Sequence, residues 1–94
     1  MNFVIEAALR KRLVTTLVEA SLRMSTLGMT SDEIISEIRG RSPHLTGEEI
    51  RREIQAMSRQ GMIEPRTRYS VRSARYTALR RRGKVIWRLV PSPK

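Results

Sequence analysis

Two helix-start signals, sixteen residues apart, constrain the fold of this 94-residue chain more than any other feature. Met29-Thr30-Ser31-Asp32-Glu33-Ile34 and Leu45-Thr46-Gly47-Glu48-Glu49-Ile50 each set a threonine three residues before a glutamate. At that spacing the threonine hydroxyl accepts the glutamate's backbone N–H, and the glutamate carboxylate accepts the threonine's. Two donors that no helical carbonyl reaches are thereby satisfied. The apolar residue before each threonine and the isoleucine after each glutamate close a hydrophobic staple, Met29 with Ile34 and Leu45 with Ile50. Two helices are therefore predicted around a turn, Arg41-Ser42-Pro43-His44, in which Pro43 bars continuation of the first. Beyond their shared starts the two segments differ in sequence, so they are not an internal repeat.

The second of these helices is predicted over residues 47–60. Ile50, Ile54 and Met57 recur at helical spacing as a narrow apolar stripe, and Gly61 supplies a left-handed stop after which Met62 folds back. The other side carries Glu48, Arg52, Gln55 and Arg59, with Arg51 on the flank. The first helix is expected to run to about Arg39, bury Ile34, Ile35 and Ile38, and stop at Gly40. Upstream, residues 3–26 are predicted as one long helix closed by Gly28. Leu9, Leu13, Leu17, Ala20 and Met24 line one side of it, and Val4, Ala7, Val14, Val18 and Leu22 lie beside them. This apolar arc exceeds half the circumference, which is more than one small core uses. Either the helix is deeply buried or its spare face meets a second copy; the chain is small, so a homodimer through this helix is the expectation.

Beyond the helices, Met62-Ile63-Glu64-Pro65 and Lys84-Val85-Ile86-Trp87-Arg88-Leu89-Val90 have strand character. They should pair antiparallel, with Val85, Trp87 and Leu89 turned to the helices and Trp87 in the core. Pro91 and Pro93 leave residues 91–94 as a tail. Between the strands, residues 66–84 read RTRYSVRSARYTALRRRGK, with eight basic residues, two tyrosines and little to bury. A long irregular hairpin is expected here, with a short helix over 73–82 as the alternative. It should project, because so many guanidinium groups cannot be buried unpaired. One or both of Tyr69 and Tyr76 are expected to pack it onto the body; stacking on bases is their alternative role if the target is single-stranded. The sum is one mainly α domain with a small antiparallel β-hairpin.

The formal charge of +10 is segregated. Residues 1–64 hold nine Lys/Arg and nine Asp/Glu, whereas residues 65–94 hold ten Lys/Arg and no acid. Eight of those ten are arginine, whose fork pairs with phosphates and guanine edges. A polyanionic partner is the expectation. The absence of cysteine excludes disulfides, thiolate metal sites and cysteine nucleophiles. The apolar residues near the N-terminus are interrupted by Glu6 and Arg10-Lys11-Arg12, unlike a secretory signal, and no run is long enough to span a bilayer. A cytoplasmic protein is expected.

Helix, helix, turn, helix, then two strands around a basic loop is an informative order. On MTSDEIISEIRG, LTGEEIRREIQAMSRQGMIE and RRRGKVIWRLVP, the sequence resembles the winged helix-turn-helix DNA-binding proteins over roughly residues 27–90. The resemblance implies a helix-turn-helix over 30–61, a wing over 62–90 and double-stranded DNA as partner. It also makes the helix over 47–60 the reader, so Glu48, Arg52, Gln55 and Arg59, flanked by Arg51, are the candidates for base contact. Arginine pairs with guanine O6/N7, glutamine with adenine N6/N7, and glutamate accepts from cytosine N4. The plainer role for Glu48 and Arg52, four apart, is a mutual ion pair. In the wing, Arg66, Arg68, Arg72, Arg75, Arg80, Arg81, Arg82 and Lys84 are the candidates for phosphate or minor-groove contact. At about nineteen residues this wing is longer than the family's usual short loop.

A sequence-specific transcriptional regulator is the leading expectation. The alternatives are an RNA- or ribosome-associated protein, or an interaction module docking its basic loop on an acidic partner. An enzyme is not expected. The sequence has no Gly-rich phosphate loop and no paired metal ligands, and its single histidine, His44, has no cysteine or second histidine beside it. No cofactor, metal or small-molecule ligand is called for.

Overall fold

The computed structural model describes residues 3–91; the tail expected over 91–94 lies outside it from residue 92 onward. Three helices come first: α1 (Phe3–Met24), α2 (Ser31–Arg41) and α3 (Gly47–Arg59). Both predicted capping boxes are formed. Thr30 and Thr46 stand at the N-caps of α2 and α3 in extended conformation, each in reciprocal hydrogen bonds with the glutamate three residues on. The stop of α3 also forms as expected. Gly61 has φ +76°, its N–H donates to Ser58 O, and the Met62 N–H donates to Met57 O, the paired bonds of a Schellman motif.

Gly40 does not end α2. The helix runs through it to Arg41, and Ser42 caps it with its N–H on Ile38 O. An exposed glycine costs a helix only about 1 kcal/mol, whereas Pro43 disfavours the helical region for Ser42 outright. The proline, not the glycine, sets the boundary.

Side chains from all three helices meet in one core: Val14, Val18 and Leu22 from α1, Ile34 and Ile38 from α2, Leu45 before α3, and Ile50, Ile54 and Met57 within it, closed by Ile63. Only the C-terminal half of α1 takes part. Val4, Ile5, Leu9 and Leu13 are exposed, which excludes a deeply buried first helix.

The remainder is built from three two-stranded antiparallel ribbons rather than one long hairpin. The stem pairs β1 (Ile63–Pro65) with β6 (Trp87–Leu89), in the register Ile63 opposite Leu89. A long arm pairs β2 (Thr67–Ser70) with β3 (Arg75–Ala78), and a short arm pairs β4 (Arg80–Arg81) with β5 (Lys84–Val85). The helix considered over 73–82 is not formed. The short arm turns on Arg82 and Gly83, both at positive φ, as a two-residue hairpin of this hand requires.

The ribbons meet at a ring of three backbone hydrogen bonds. The Arg66 N–H donates to Ile86 O (2.7 Å), Leu79 N–H to Arg66 O (2.8 Å), and Ile86 N–H to Leu79 O (3.1 Å). Ile86 therefore interrupts the strand expected from Lys84 to Val90. It is the buried residue there, and the alternation of Val85, Trp87 and Leu89 gives way around it. Trp87 is half-buried, packs on the core and donates from Nε1 to Ser31 Oγ (3.0 Å).

Strand β6 has a second backbone partner. Met29 and Trp87 exchange N–H···O bonds of 3.2 and 2.7 Å, which brings the α1–α2 connection alongside the stem. Gly28 makes this approach possible. A Cβ there would lie 2.6 Å from both Ile86 Cγ2 and Trp87 O, and φ is +83°. Its role is close packing rather than helix termination, since α1 has ended four residues earlier.

Candidate nucleic-acid interface

Among the expected site residues of α3, Glu48, Arg51, Arg52, Gln55 and Arg59 are all on the outer side, opposite the buried stripe. Two of them hold each other. Arg52 Nη2 donates to Glu48 Oε1 at 2.7 Å on the exposed surface. Such a pair contributes a few tenths of a kcal/mol and opens readily to a competing partner. Arg51 reaches across to α2, where its Nη2 donates to Asp32 Oδ1 (3.0 Å). Gln55 and Arg59 have no hydrogen-bond partner among the described side chains, so they are the free groups of this face.

The basic residues of the arms divide in the same way. Arg81 Nη1 donates to Glu33 Oε1 at 2.6 Å, latching the short arm to the capping glutamate of α2. Arg80 Nη1 donates to Gly83 O within its own turn, and Arg66 Nη1 lies 3.4 Å from Thr26 O. Arg68, Arg72, Arg75, Arg82 and Lys84 are exposed and make no side-chain hydrogen bond or ion pair among the described residues. Arg68 and Arg75 share one arm, on β2 and β3, and Arg72 sits in its turn.

These contacts place the short arm beside the outer face of α3. Asp32 binds Arg51 of α3 and also feels Lys84 of β5, while its neighbour Glu33 binds Arg81 of β4. The N-terminus of α2 thus sits between the exposed side of α3 and the short arm. Its two carboxylates titrate below the usual range. For Asp32 the chief cause is the hydrogen bond from Arg51; for Glu33 it is the Thr30 backbone N–H, with Arg81 adding to it.

Two acids of α3 brace the body, one of them beyond its expected role as a cap. Glu49 caps α3 and also binds Arg10 of α1, whose Nη2 donates to Glu49 Oε1 (3.1 Å) and to His44 O (2.9 Å). The Arg10 contact lowers the Glu49 pKa. Glu53 is buried, 7% exposed, and accepts from the Thr15 hydroxyl of α1. No sequence pattern marks that contact, because the partners are 38 residues apart. Arg10 and the His44 carbonyl are thereby engaged in the α1–α3 junction.

The tyrosines depart from expectation. Neither packs on the body: Tyr69 is 51% and Tyr76 71% exposed, and they face each other across the long arm with ring centroids 5.2 Å apart, edge to face. Among the described residues no three His, Asp or Glu side chains converge as a metal-binding set, and no helix is long and apolar enough to cross a membrane. Compared with known proteins, the chain matches no protein-family model, no curated protein and no solved structure.

Proposed function

We propose that this chain is a sequence-specific DNA-binding regulator of the winged helix-turn-helix type, working on double-stranded DNA in the cytoplasm. In this reading α3 enters the major groove, with Gln55, Arg59 and, once its pair with Glu48 opens, Arg52 on base edges. The arms lie on flanking phosphates or in the minor groove, held by Arg68, Arg72, Arg75, Arg82 and Lys84. The observation that carries the reading is the short arm beside the open polar face of α3, linked to it through Asp32 and Glu33, together with the exposed, unpaired basic side chains of the two arms. The Met29–Trp87 backbone bridge adds support, since it sets the α1–α2 connection, β6 and β1 side by side.

The reading includes a homodimer. Ile5, Leu9 and Leu13 recur every four residues on the exposed N-terminal half of α1, as a stripe that a second copy of the same helix would cover. Two copies would then read two half-sites.

Selection from a random duplex library tests the function. Enrichment of one motif is the expected result, palindromic if the dimer forms, and failure to enrich any sequence would remove the regulator reading. A solution mass by light scattering checks the dimer separately, a monomer at high concentration being the contrary result.

A further inference from the structure

The long arm pairs two tyrosines directly across its strands. Tyr69 stands opposite Tyr76, flanked in the ladder by Arg68 opposite Thr77 and Ser70 opposite Arg75. Since side chains alternate along a strand, these neighbours point to the other face of the ribbon. Nothing in the body covers the aromatic face, and the tyrosines are absent from the side chains packed against the core. A cross-strand aromatic pair stabilises a ribbon, and an isolated two-stranded ribbon is otherwise marginal in water. That accounts for an aromatic pair but not for leaving both rings wet on the one segment that carries no acid. A duplex offers such rings little, because its own base faces are already stacked. An unpaired base offers a free π-face, and stacking on tyrosine is tolerant of sequence. Charge decides the occupant: Arg68, Arg72 and Arg75 share the arm with the pair, and residues 65–94 hold no Asp or Glu, so the partner is anionic as well as aromatic.

Resting on the DNA-binding reading above, we propose that Tyr69 and Tyr76 form a stacking site for unpaired bases next to the bound duplex. The preferred substrate is then DNA with a single-stranded flank, at an end, a gap or a melted stretch, rather than uninterrupted duplex. Arg72, in the turn of the arm, is placed to hold the backbone of the unpaired strand while its bases stack on the two rings, and Arg68 and Arg75 on the opposite face add to the arm's positive potential.

The test compares the full-length protein on a blunt duplex and on the same duplex carrying a short single-stranded DNA overhang, by fluorescence anisotropy at matched salt. The wild type should bind the overhang substrate about tenfold more tightly. Replacing both tyrosines by phenylalanine should keep that ratio. Replacing both by valine, a good strand former without a π-face, should bring it close to one, since any loosening of the arm weakens both substrates alike and leaves their ratio to report stacking alone. Equal wild-type affinity for the two substrates, or a ratio that survives in the valine variant, would overturn the proposal and leave duplex binding standing. An overhang effect in which single-stranded RNA outcompetes DNA of the same sequence would also overturn it. Loss of binding to every DNA at low salt would instead remove the parent reading.

Discussion

The helical body and the two β-arms are held by opposite means. In the body, most acids are held by a partner: Glu49 by Arg10, Asp32 by Arg51, Glu48 by Arg52, Glu53 by the Thr15 hydroxyl. Beneath them lies a core of fully buried isoleucines. In the arms, cations dominate and most have no partner among the described residues. What fixes the arms is chiefly backbone, the ring through Arg66, Leu79 and Ile86 and the turn at Arg82-Gly83, with the Arg81–Glu33 ion pair latching the short arm. The difference amounts to a division of labour. Formal charge on α3 sums to zero, from Arg51, Arg52 and Arg59 against Glu48, Glu49 and Glu53. That helix has shape and hydrogen-bonding groups but no net attraction for a polyanion. The arms have the attraction, and the long arm leaves its side chains free for it.

Truncation should separate the regions most sharply. Ile54→Ala in the core should cost about 4 kcal/mol in urea unfolding, while Val71→Ala at the tip of the long arm should stay within about 0.5 kcal/mol. A next contrast uses the glycines. Gly28→Ala forces a methyl onto Ile86 and Trp87 O at a left-handed position, for a loss of about 3 kcal/mol. Gly83→Ala, also left-handed but facing open space, should cost about 1 kcal/mol and mainly loosen the short arm. Between those two falls Thr15→Ala, which leaves the buried Glu53 carboxylate without its hydroxyl donor, a loss of about 2 kcal/mol that denaturant titration would resolve.

Acid gives the mildest perturbation. Asp32, Glu33 and Glu49 all have lowered pKa values in the fold, caused chiefly by Arg51, the Thr30 N–H and Arg10 respectively. Each therefore stabilises the folded state above its unfolded pKa of about 4, and that contribution disappears as pH falls through the lower folded value. Thermal midpoints should be level from neutrality to about pH 5 and fall below about pH 4. The decline should be shallower in Glu33→Gln with Glu49→Gln, and an identical acid profile for that variant would contradict these pairings.

Much of the body was legible because its signals are local. Thr30/Glu33, Thr46/Glu49 and Gly61 act within one turn of the chain, and all three behave as their spacing implies. The pairing of β1 with β6 was also visible in the apolar residues at either end of the basic segment. The interior of that segment was not. Leu79 and Ile86 are single apolar residues among arginines, and only the closed ring shows that they anchor a branch point rather than a loop. Nor does any periodicity foretell that Met29 bridges Trp87, that Gly28 must be bare, or that Arg51 and Arg81 are drawn to the carboxylates of α2. Such contacts join residues tens of positions apart and are decided by packing. For the candidate interface, sequence supplied the list of basic residues; the structure sorts them into latched and free.

That sorting is the claim most open to test. The salt dependence of duplex-DNA affinity should be measured for the wild type and for Arg72→Ala with Arg75→Ala and Arg82→Ala, three arm residues without side-chain partners in the fold. Each phosphate left without its cation reduces the slope of log K against log salt by about 0.9, so the triple variant should fall by roughly two to three. Unchanged slopes, or a wild type that does not bind duplex DNA at low salt, would contradict the account that the arms hold while α3 selects.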